Sequence, residues 1–151
     1  MFDDIDKALL SLIQTDSKQT TKALSIKLGL SVTAVYERIK KLESHGVIKK
    51  YVALIDKKKV KKGFVTFCHI KLVKHSQEFV MKFEREVAKL EEVLECYHIS
   101  GDYDYLLKVL VEDMEAFREF MVKKLTKIDH IGSTHSMFMI NEVKHTTEIK
   151  V

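Results

Sequence analysis

The spacing of apolar residues changes character along the chain. Apolar side chains three or four positions apart predict five helices, which cover residues 3–14, 21–28, 31–46, 77–90 and 114–127. Runs rich in aromatic and β-branched residues predict four strands, which cover residues 64–73, 93–99, 105–111 and 131–140. A helical N-terminal part is therefore followed by a mixed part, and residues 143–151 form a short extended tail.

The predicted helix over residues 31–46 has two unlike faces. Ser31 can cap its first turn, and Gly46 can adopt the left-handed conformation that ends a helix. One sector is apolar and is expected to be buried, namely Val32, Val35, Ile39 and Leu42. The opposite face and its flanks are polar and mostly cationic, namely Thr33, Ala34, Tyr36, Glu37, Arg38, Lys40, Lys41 and Ser44. A solvated surface helix would give the same pattern, so the neighbouring segments decide its role.

A short helix and a tight turn precede this helix. Residues 21–28 predict the short helix, with Thr21 as its cap, and Gly29-Leu30-Ser31 forms a link of three residues. A short helix, a turn with glycine and a second helix with a basic outer face are typical of a helix-turn-helix, whose second helix enters the DNA major groove. The helix over residues 3–14 completes a three-helix unit.

The residues after Gly46 extend the basic character of this region. Residues 47–55 are predicted to be extended, and their Lys49 and Lys50 can follow a phosphate backbone. Residues 56–63 are the most charged run of the chain and are expected to be a hinge, whose charge solvation alone would explain. The predicted division is a DNA-binding domain over 1–55, a hinge over 56–63 and a second domain over 64–151.

Charge is divided unequally along the 151 residues, whose formal net charge is +4. Residues 1–62 contain 14 Lys and Arg against 7 Asp and Glu, whereas residues 63–151 contain 12 against 15. This division predicts that only the first part meets a polyanion.

The composition indicates in which cellular compartment the protein is expected. No apolar run approaches the length of a membrane span, and the acidic start Met-Phe-Asp-Asp is unlike a signal peptide. Cys68 and Cys96 lack a C-x-x-C partner, which fits a reducing compartment and free buried thiols. We therefore expect a cytoplasmic, nucleoid-associated protein with no membrane partner.

The elements after residue 64 follow the order β-α-β-β-α-β. This order is typical of a ferredoxin-like sandwich, in which two helices cover one face of an antiparallel sheet. The other face is then free to pair with a second chain, so a dimer is expected. The predicted fold class is α+β, with an N-terminal winged or extended helix-turn-helix and a C-terminal ferredoxin-like domain.

Particular residues add a family resemblance that covers nearly the whole chain. They are Asp6, Leu24, Gly29-Leu30-Ser31, Val35, Arg38, Ile39, Leu42, Glu43, Gly46-Val47-Ile48, Tyr51 and Gly101-Asp102-Tyr103-Asp104. Together they resemble the signature of the Lrp/AsnC family, the feast/famine regulators. The resemblance implies a transcription regulator with a C-terminal RAM domain for regulation of amino-acid metabolism. It also implies dimers, octamers built as tetramers of dimers that wrap DNA, and an amino-acid effector bound between dimers.

The predicted contacts with double-stranded DNA lie on and just after the second helix. They are Ser31, Thr33, Ala34, Tyr36, Glu37, Arg38, Lys40, Lys41, Lys49 and Lys50. Thr33, Ala34 and Glu37 are expected to face base edges, while the cations supply phosphate contacts or, for Arg38, a guanine contact. Glu37 can instead pair with Lys41 at i,i+4, a contact worth about 0.2–0.5 kcal/mol.

The predicted effector site centres on the loop over residues 100–104. Gly and Asp alone would explain a tight turn here. Its two carboxylates and phenol also suit an amino-acid zwitterion, with a carboxylate accepting from the ammonium and backbone amides facing the ligand carboxylate. The resemblance implies the set Tyr97, Ser100, Gly101, Asp102, Tyr103, Asp104, Thr134 and Ser136. His135 departs from the family, which tends to small hydroxyl residues in this strand.

Catalytic and metal chemistry have no motif in the chain. Cys96-x-His98 and Cys68-His69 lack the spacing of a structural zinc site, so no metal is expected, and the amino acid is the one small molecule implied. No nucleophile elbow, glycine-rich phosphate loop or paired-carboxylate motif is present, so no enzyme activity is expected. Two alternatives remain: an enzyme like the sirohaem decarboxylases, which are similar to this family in both domains, or a metabolite-binding hub with secondary DNA contact.

Overall fold

The computed structural model describes residues 3–151, which form two compact units. Unit 1 comprises the chain up to Leu54 together with Val143–Val151, and unit 2 comprises Ile55–Glu142. The predicted hinge over residues 56–63 lies within unit 2. The tail over residues 143–151, which the prediction included in the second domain, is grouped with unit 1. Met1 and Phe2, which open the predicted first domain, lie outside the described residues.

Unit 1 contains three helices with polar caps. They are α1 (Asp4–Thr15), α2 (Thr21–Leu28) and α3 (Val32–Ser44). Asp3 caps α1 by accepting from the backbone N–H of Asp6 at 2.7 Å. Thr20, rather than the predicted Thr21, caps α2 by accepting from the N–H of Ala23. The three helices enclose one apolar core, formed by Leu9, Leu10, Leu24, Val35 and Leu42.

Helix α3 begins and ends as its sequence predicts. The Ser31 hydroxyl accepts from the N–H of Ala34 at 3.1 Å. At the other end Gly46 has φ of 69°, and the N–H of Val47 returns to the Leu42 carbonyl at 2.9 Å. Val32, expected to be buried, is 47% exposed, so the buried sector begins one turn later.

Unit 2 is a four-stranded antiparallel sheet with two helices. Its elements are β1 (Phe64–Leu72), α4 (Gln77–Val87), β2 (Val93–His98), β3 (Tyr105–Val111), α5 (Met114–Lys123), a 3₁₀ turn (Leu125–Lys127) and β4 (Ile131–Phe138). The strand order is β2-β3-β1-β4, so β1 is central and pairs with both β3 and β4. The α+β class and the ferredoxin-like order are thus confirmed. The residues after β4 add no further strand.

The core of unit 2 lies between the sheet and the helices. Its residues include Cys68, Ile70, Leu107, Val109, Phe83, Phe117 and Phe120. Phe120 on α5 is only 2% exposed. Cys96, expected to be buried, is exposed because it lies on the edge strand β2.

The opposite face of the sheet remains partly exposed, and we refer to it as the open face. Strand pairing and side-chain alternation place on it Phe67, His69, Lys71, Glu95, Tyr97, Leu106, Lys108, His135 and Met137. Tyr97 is 51% exposed and Met137 is 42% exposed. Lys108 and Glu95 form an ion pair of 2.8 Å across two strands of this face.

Candidate functional sites

Polar side chains on the outer face of α3 are exposed to solvent. Thr33, Glu37 and Lys41 are exposed, while Ala34 is partly buried and its N–H is bonded to Ser31. Within residues 3–151, Glu37 forms no salt bridge, so the alternative pair with Lys41 is not formed. Both charges of this face are therefore free to meet a partner.

Arg38 points in a different direction from the one expected. Its Nη1 lies 2.7 Å from Asp3 Oδ2 and 2.6 Å from Asp6 Oδ1. Asp6 is only 4% exposed, so the guanidinium neutralises a buried carboxylate. Hydrogen bonds to Asp3 and then Asp6 raise the pKa of Arg38, and the Asp6 N–H followed by Arg38 lowers the pKa of Asp3. Arg38 thus joins α3 to α1, and the structure does not place it with the exposed residues of the DNA-binding face.

A second small network surrounds Lys40. Its Nζ lies 3.1 Å from Glu43 Oε2 and 5.8 Å from the ring centroid of Tyr36. The Tyr51 hydroxyl donates to Glu43 Oε1 at 3.0 Å, which connects α3 to the extended segment after it. The hydrogen bond to Glu43 raises the pKa of Lys40, so this lysine remains charged. Two further predicted phosphate contacts are exposed and form no ion pair in the described chain, namely Lys49 and Lys50.

The loop over residues 100–104 is fastened by Asp104. Its Oδ2 accepts from the N–H of Leu72 at 2.7 Å, and its Oδ1 lies 2.7 Å from His75 Nε2. Burial raises the pKa of Asp104, but these two hydrogen bonds outweigh it and leave the pKa below its ordinary value. Both carboxylate oxygens are therefore already engaged by the protein.

The middle of the same loop is open. The Asp104 carbonyl accepts from the N–H of Ile99 at 2.8 Å, and the Asp104 N–H donates to the Ile70 carbonyl at 2.9 Å. Between these anchors Gly101 has φ of 124°, a conformation that only glycine adopts readily. Ser100 and Asp102 are exposed on either side of it. The loop has fixed ends and a polar, accessible centre.

The sheet separates other members of the predicted effector set. Tyr103 packs against two imidazoles of the open face, with centroid distances of 4.9 Å to His69 and 6.2 Å to His135. Ser136 lies on the opposite face, where its Oγ is 3.6 Å from Cys68 Sγ. Strand register places Tyr97 with the first group and Thr134 with the second. One chain therefore does not gather all eight residues around a single cavity.

Sequence reasoning missed His69 and His75 as neighbours of this loop. Both precede it by about thirty positions, and strand pairing or a side-chain hydrogen bond brings them to it. No spacing rule within a single element links residues that far apart.

An open groove of about 260 Å³ lies elsewhere in unit 2. Its lining residues are Lys82, Glu86, Lys89, Leu90, Lys124, Lys127, Ile128 and Asp129. Three of its lysines are already paired: Lys82 lies 2.7 Å from Asp129, Lys89 lies 2.7 Å from Glu86, and Lys124 is paired with Glu92. None of the predicted effector residues lines it.

These observations define a class of protein. A helix-turn-helix with an exposed, partly cationic second helix is joined in one chain to a ferredoxin-like domain whose sheet keeps one face open. Within residues 3–151, no helix is long and apolar enough to cross a bilayer. The class is that of two-domain DNA-binding regulators.

Family models identify both parts. The model described as Lrp/AsnC ligand binding domain matches residues 65–149, and a winged helix-turn-helix DNA-binding model matches residues 2–49. The chain belongs to the Lrp/AsnC family, and it is a DNA-binding transcriptional regulator of that type. The resemblance drawn from the sequence is confirmed.

Individual relatives and solved structures are similar to this chain over nearly its whole length. The transcriptional activator DecR of Escherichia coli K12 is 34% identical over 151 residues, covering 100% of this chain and 99% of DecR. A crystal structure of an AsnC family regulator from Agrobacterium tumefaciens has a TM-score of 0.94 at 38% identity, covering 98% and 96% of the two chains. Regulator NMB0573 from Neisseria meningitidis, in complex with L-Met, has a TM-score of 0.94 at 30% identity, covering 99% and 96%.

Proposed function

We propose that α3 is the recognition helix and that Thr33, Ala34 and Glu37 contact base edges in the major groove. The observation that carries this proposal is the exposed polar face of α3, opposite Val35 and Leu42 in the core. Such a helix can enter the groove without losing its packing on unit 1. Glu37 suits a cytosine amino group, because a carboxylate accepts hydrogen bonds and cannot approach a phosphate.

The phosphate contacts come from Lys41, Lys49 and Lys50, with Lys40 joining them by exchanging Glu43 for a phosphate. The first three are exposed and have no ion pair to break within the described chain. Ser31 and Tyr36 lie beside them and can donate hydroxyl hydrogen bonds to the backbone of DNA. Arg38 supports α3 through Asp3 and Asp6 instead.

A salt titration separates the two kinds of contact. We expect Lys41→Ala to weaken binding to all duplexes alike and to lower the slope of log Kobs against log salt by about 0.9. We expect Glu37→Ala to keep the slope and to change which sequences are selected from a random duplex library. Lys123→Ala in unit 2 is the matched control, since it removes one positive charge far along the chain from the helix-turn-helix.

An unchanged slope for Lys41→Ala would remove this lysine from the phosphate contacts. An unchanged sequence ranking for Glu37→Ala would leave the base contacts to Thr33 and Ala34. Failure of the wild-type chain to bind its own upstream region or any other duplex would contradict the DNA-binding assignment.

We propose that the effector is an amino acid bound at the loop over residues 100–104. The description of the matching domain model as ligand binding and the L-Met complex of a similar regulator support this proposal. Because Asp104 is already bonded to Leu72 and His75, Asp102 is the better acceptor for the ligand ammonium. The amides around Gly101 then face the ligand carboxylate.

Calorimetric titration with the standard amino acids tests the effector site. We expect heat of binding for at least one of them, and a loss of that heat in Asp102→Asn. A Gly101→Val substitution should also remove it, because a β-branched residue is strained at positive φ. The absence of both heat and any shift in oligomer size would contradict an amino-acid effector.

We further propose that the chain forms a dimer through the open face, that four such dimers form an octamer, and that the protein acts in the cytoplasm at the nucleoid. Exposed apolar side chains on that face, including Tyr97 and Met137, support the dimer.

Regulation without catalysis is the function we propose. The relatives reported above carry regulator names, and the exposed face of α3 gives DNA a surface to bind. A tetrapyrrole absorbance band in the purified protein would instead favour an enzyme like the sirohaem decarboxylases.

A further inference from the structure

Residues 56–62 form a hydrogen-bonded turn at the start of unit 2, which we name the basic turn. The Asp56 carboxylate accepts from the N–H groups of Lys58 at 3.0 Å and Lys59 at 3.3 Å. Three main-chain bonds close the turn, from Val60 to Asp56, from Lys61 to Lys58 and from Lys62 to Lys57. The backbone that carries these lysines is therefore shaped by its own hydrogen bonds and differs from a solvated hinge.

Positive charge is concentrated on this turn. It holds five Lys against one Asp, whereas residues 1–62 as a whole hold 14 basic against 7 acidic residues. The turn thus carries more than half of the excess that the sequence assigns to the polyanion-binding part.

Most of this charge is uncompensated. Lys57 is paired with Glu142 at 2.7 Å. In contrast, Lys58, Lys59 and Lys61 are exposed and form no salt bridge within residues 3–151. Three ammonium groups on one short turn repel each other, so an external anion is favoured beside them.

We propose that the basic turn is a second DNA-contacting surface, which binds phosphates flanking the site read by α3. The inference rests on the proposed role of α3 and assigns part of the affinity to the regulatory half of the chain. Lysine is a compact point charge that binds phosphate without base preference. The turn would therefore add affinity and salt dependence, and no sequence preference.

Chain length sets an upper limit on the distance between the basic turn and the end of α3. Lys58 follows Gly46 by 12 residues, and an extended chain spans at most about 3.6 Å per residue, or roughly 43 Å in total. One turn of duplex is about 34 Å long. Phosphates within little more than one helical turn of the recognition site are thus within reach.

The test is a triple substitution, Lys58→Ala with Lys59→Ala and Lys61→Ala, in the full chain. Binding to a mixed-sequence duplex of about 40 base pairs is followed by fluorescence anisotropy between about 50 and 200 mM KCl, the range in which phosphate contacts are best resolved. We expect the slope of log Kobs against log salt to fall by up to about 2.7, which is about 0.9 for each lost contact. Asp56 is kept, so the turn and the melting temperature should be unchanged.

Two variants serve as controls. Replacing the same three lysines by arginine keeps the charge and should keep the slope near that of the wild type. Replacing Lys89, Lys123 and Lys127 by alanine removes the same charge from exposed positions elsewhere in unit 2 and should also leave the slope unchanged.

Each result has one meaning. An unchanged slope for the turn variant, with normal binding by the wild type, overturns the inference and leaves α3 as the DNA contact. An equal fall in the control triple variant also overturns it, because the effect is then one of net charge. The wild type could also bind vesicles of anionic phospholipid. If the turn variant loses that binding but still binds duplex normally, the partner is a membrane surface and the inference is wrong. A wild type that binds no duplex refutes the role of α3, and this inference falls with it.

Discussion

Arg38 bridges the first and third helices of the DNA-binding unit. Its guanidinium contacts Asp3 and the nearly buried Asp6, so its removal leaves a carboxylate in the core without a cation. We expect Arg38→Ala to lower the free energy of unfolding by about 1–3 kcal/mol, the range for a buried polar group that loses its partner. Urea denaturation followed by circular dichroism measures this loss.

Substitutions on the same helix provide the comparison. Arg38→Lys should recover part of the stability, since one ammonium cannot reproduce both contacts of the guanidinium. Lys41→Ala should leave the urea midpoint unchanged, because Lys41 is exposed and unpaired within the described chain. Normal stability with weakened DNA binding in Arg38→Ala would return Arg38 to the DNA contacts that its sequence position predicts.

Asp104 contributes stability in a defined pH range. Its pKa in the folded chain lies below the ordinary value of 3.8, because the Leu72 N–H and His75 outweigh the effect of burial. A lowered pKa means that the folded state favours the ionised carboxylate, so this stabilisation is present above about pH 4 and is lost as the pH falls through the folded value.

The corresponding prediction concerns Asp104→Asn. We expect the variant to be less stable than the wild type at pH 7, with a difference that shrinks below pH 4. Urea midpoints at several pH values measure this difference. Asp102→Asn in the same loop is the matched control, because Asp102 is exposed and its substitution removes a carboxylate without breaking either hydrogen bond of Asp104. A difference that stays constant with pH would assign the effect to packing.

At the scale of elements, the C-terminal tail is fastened to α1 by one side chain. Gln14 Nε2 donates to the Ile149 carbonyl at 2.9 Å, and its Oε1 accepts from the Ile149 N–H at 2.8 Å. The side-chain amide thus replaces a strand partner for this residue. Val143–Val151 follows unit 2 in the chain but belongs to unit 1, and this contact is one that joins it to α1.

Hydrogen exchange tests this attachment. We expect Gln14→Ala to speed exchange of the Ile149 amide by about tenfold, since one protecting hydrogen bond is lost. Gln19→Ala is matched to it, because Gln19 donates instead to the carbonyls of Leu12 and Asp16. Equal protection of Ile149 in both variants would show that Gln14 does not hold the tail.

At the scale of the whole molecule, the proposed dimer depends on the open face. We expect Met137→Glu to shift the chain from dimer to monomer in sedimentation velocity, because a carboxylate buried in an apolar interface is costly. Met137 is 42% exposed, so the monomer should tolerate the change. Val122→Glu on α5, at a position that is 62% exposed, should leave the dimer intact. A dimer that survives Met137→Glu would place the interface elsewhere.

The sequence determined features that depend on neighbours in the chain. The Ser31 cap and the turn at Gly46 delimit α3 through contacts of three to five residues. Apolar spacing located the five α-helices, and aromatic and β-branched runs located the four strands. Such signals are local, because caps, turns and the two periodicities act within one or two turns of backbone. The order of the elements then pointed to the ferredoxin-like fold, and the combination of motifs pointed to the family.

Tertiary structure decided what depends on residues far apart. Arg38 is 32 positions from Asp6, and Gln14 is 135 positions from Ile149, so neither partnership has a local pattern. Ring contacts place Tyr103 against the open face of the sheet, whereas strand register places Ser136 on the opposite face, because a shift of one residue exchanges the faces. The sequence supplies the chemical groups and their local structure, and long-range packing decides which of these groups remain free to bind.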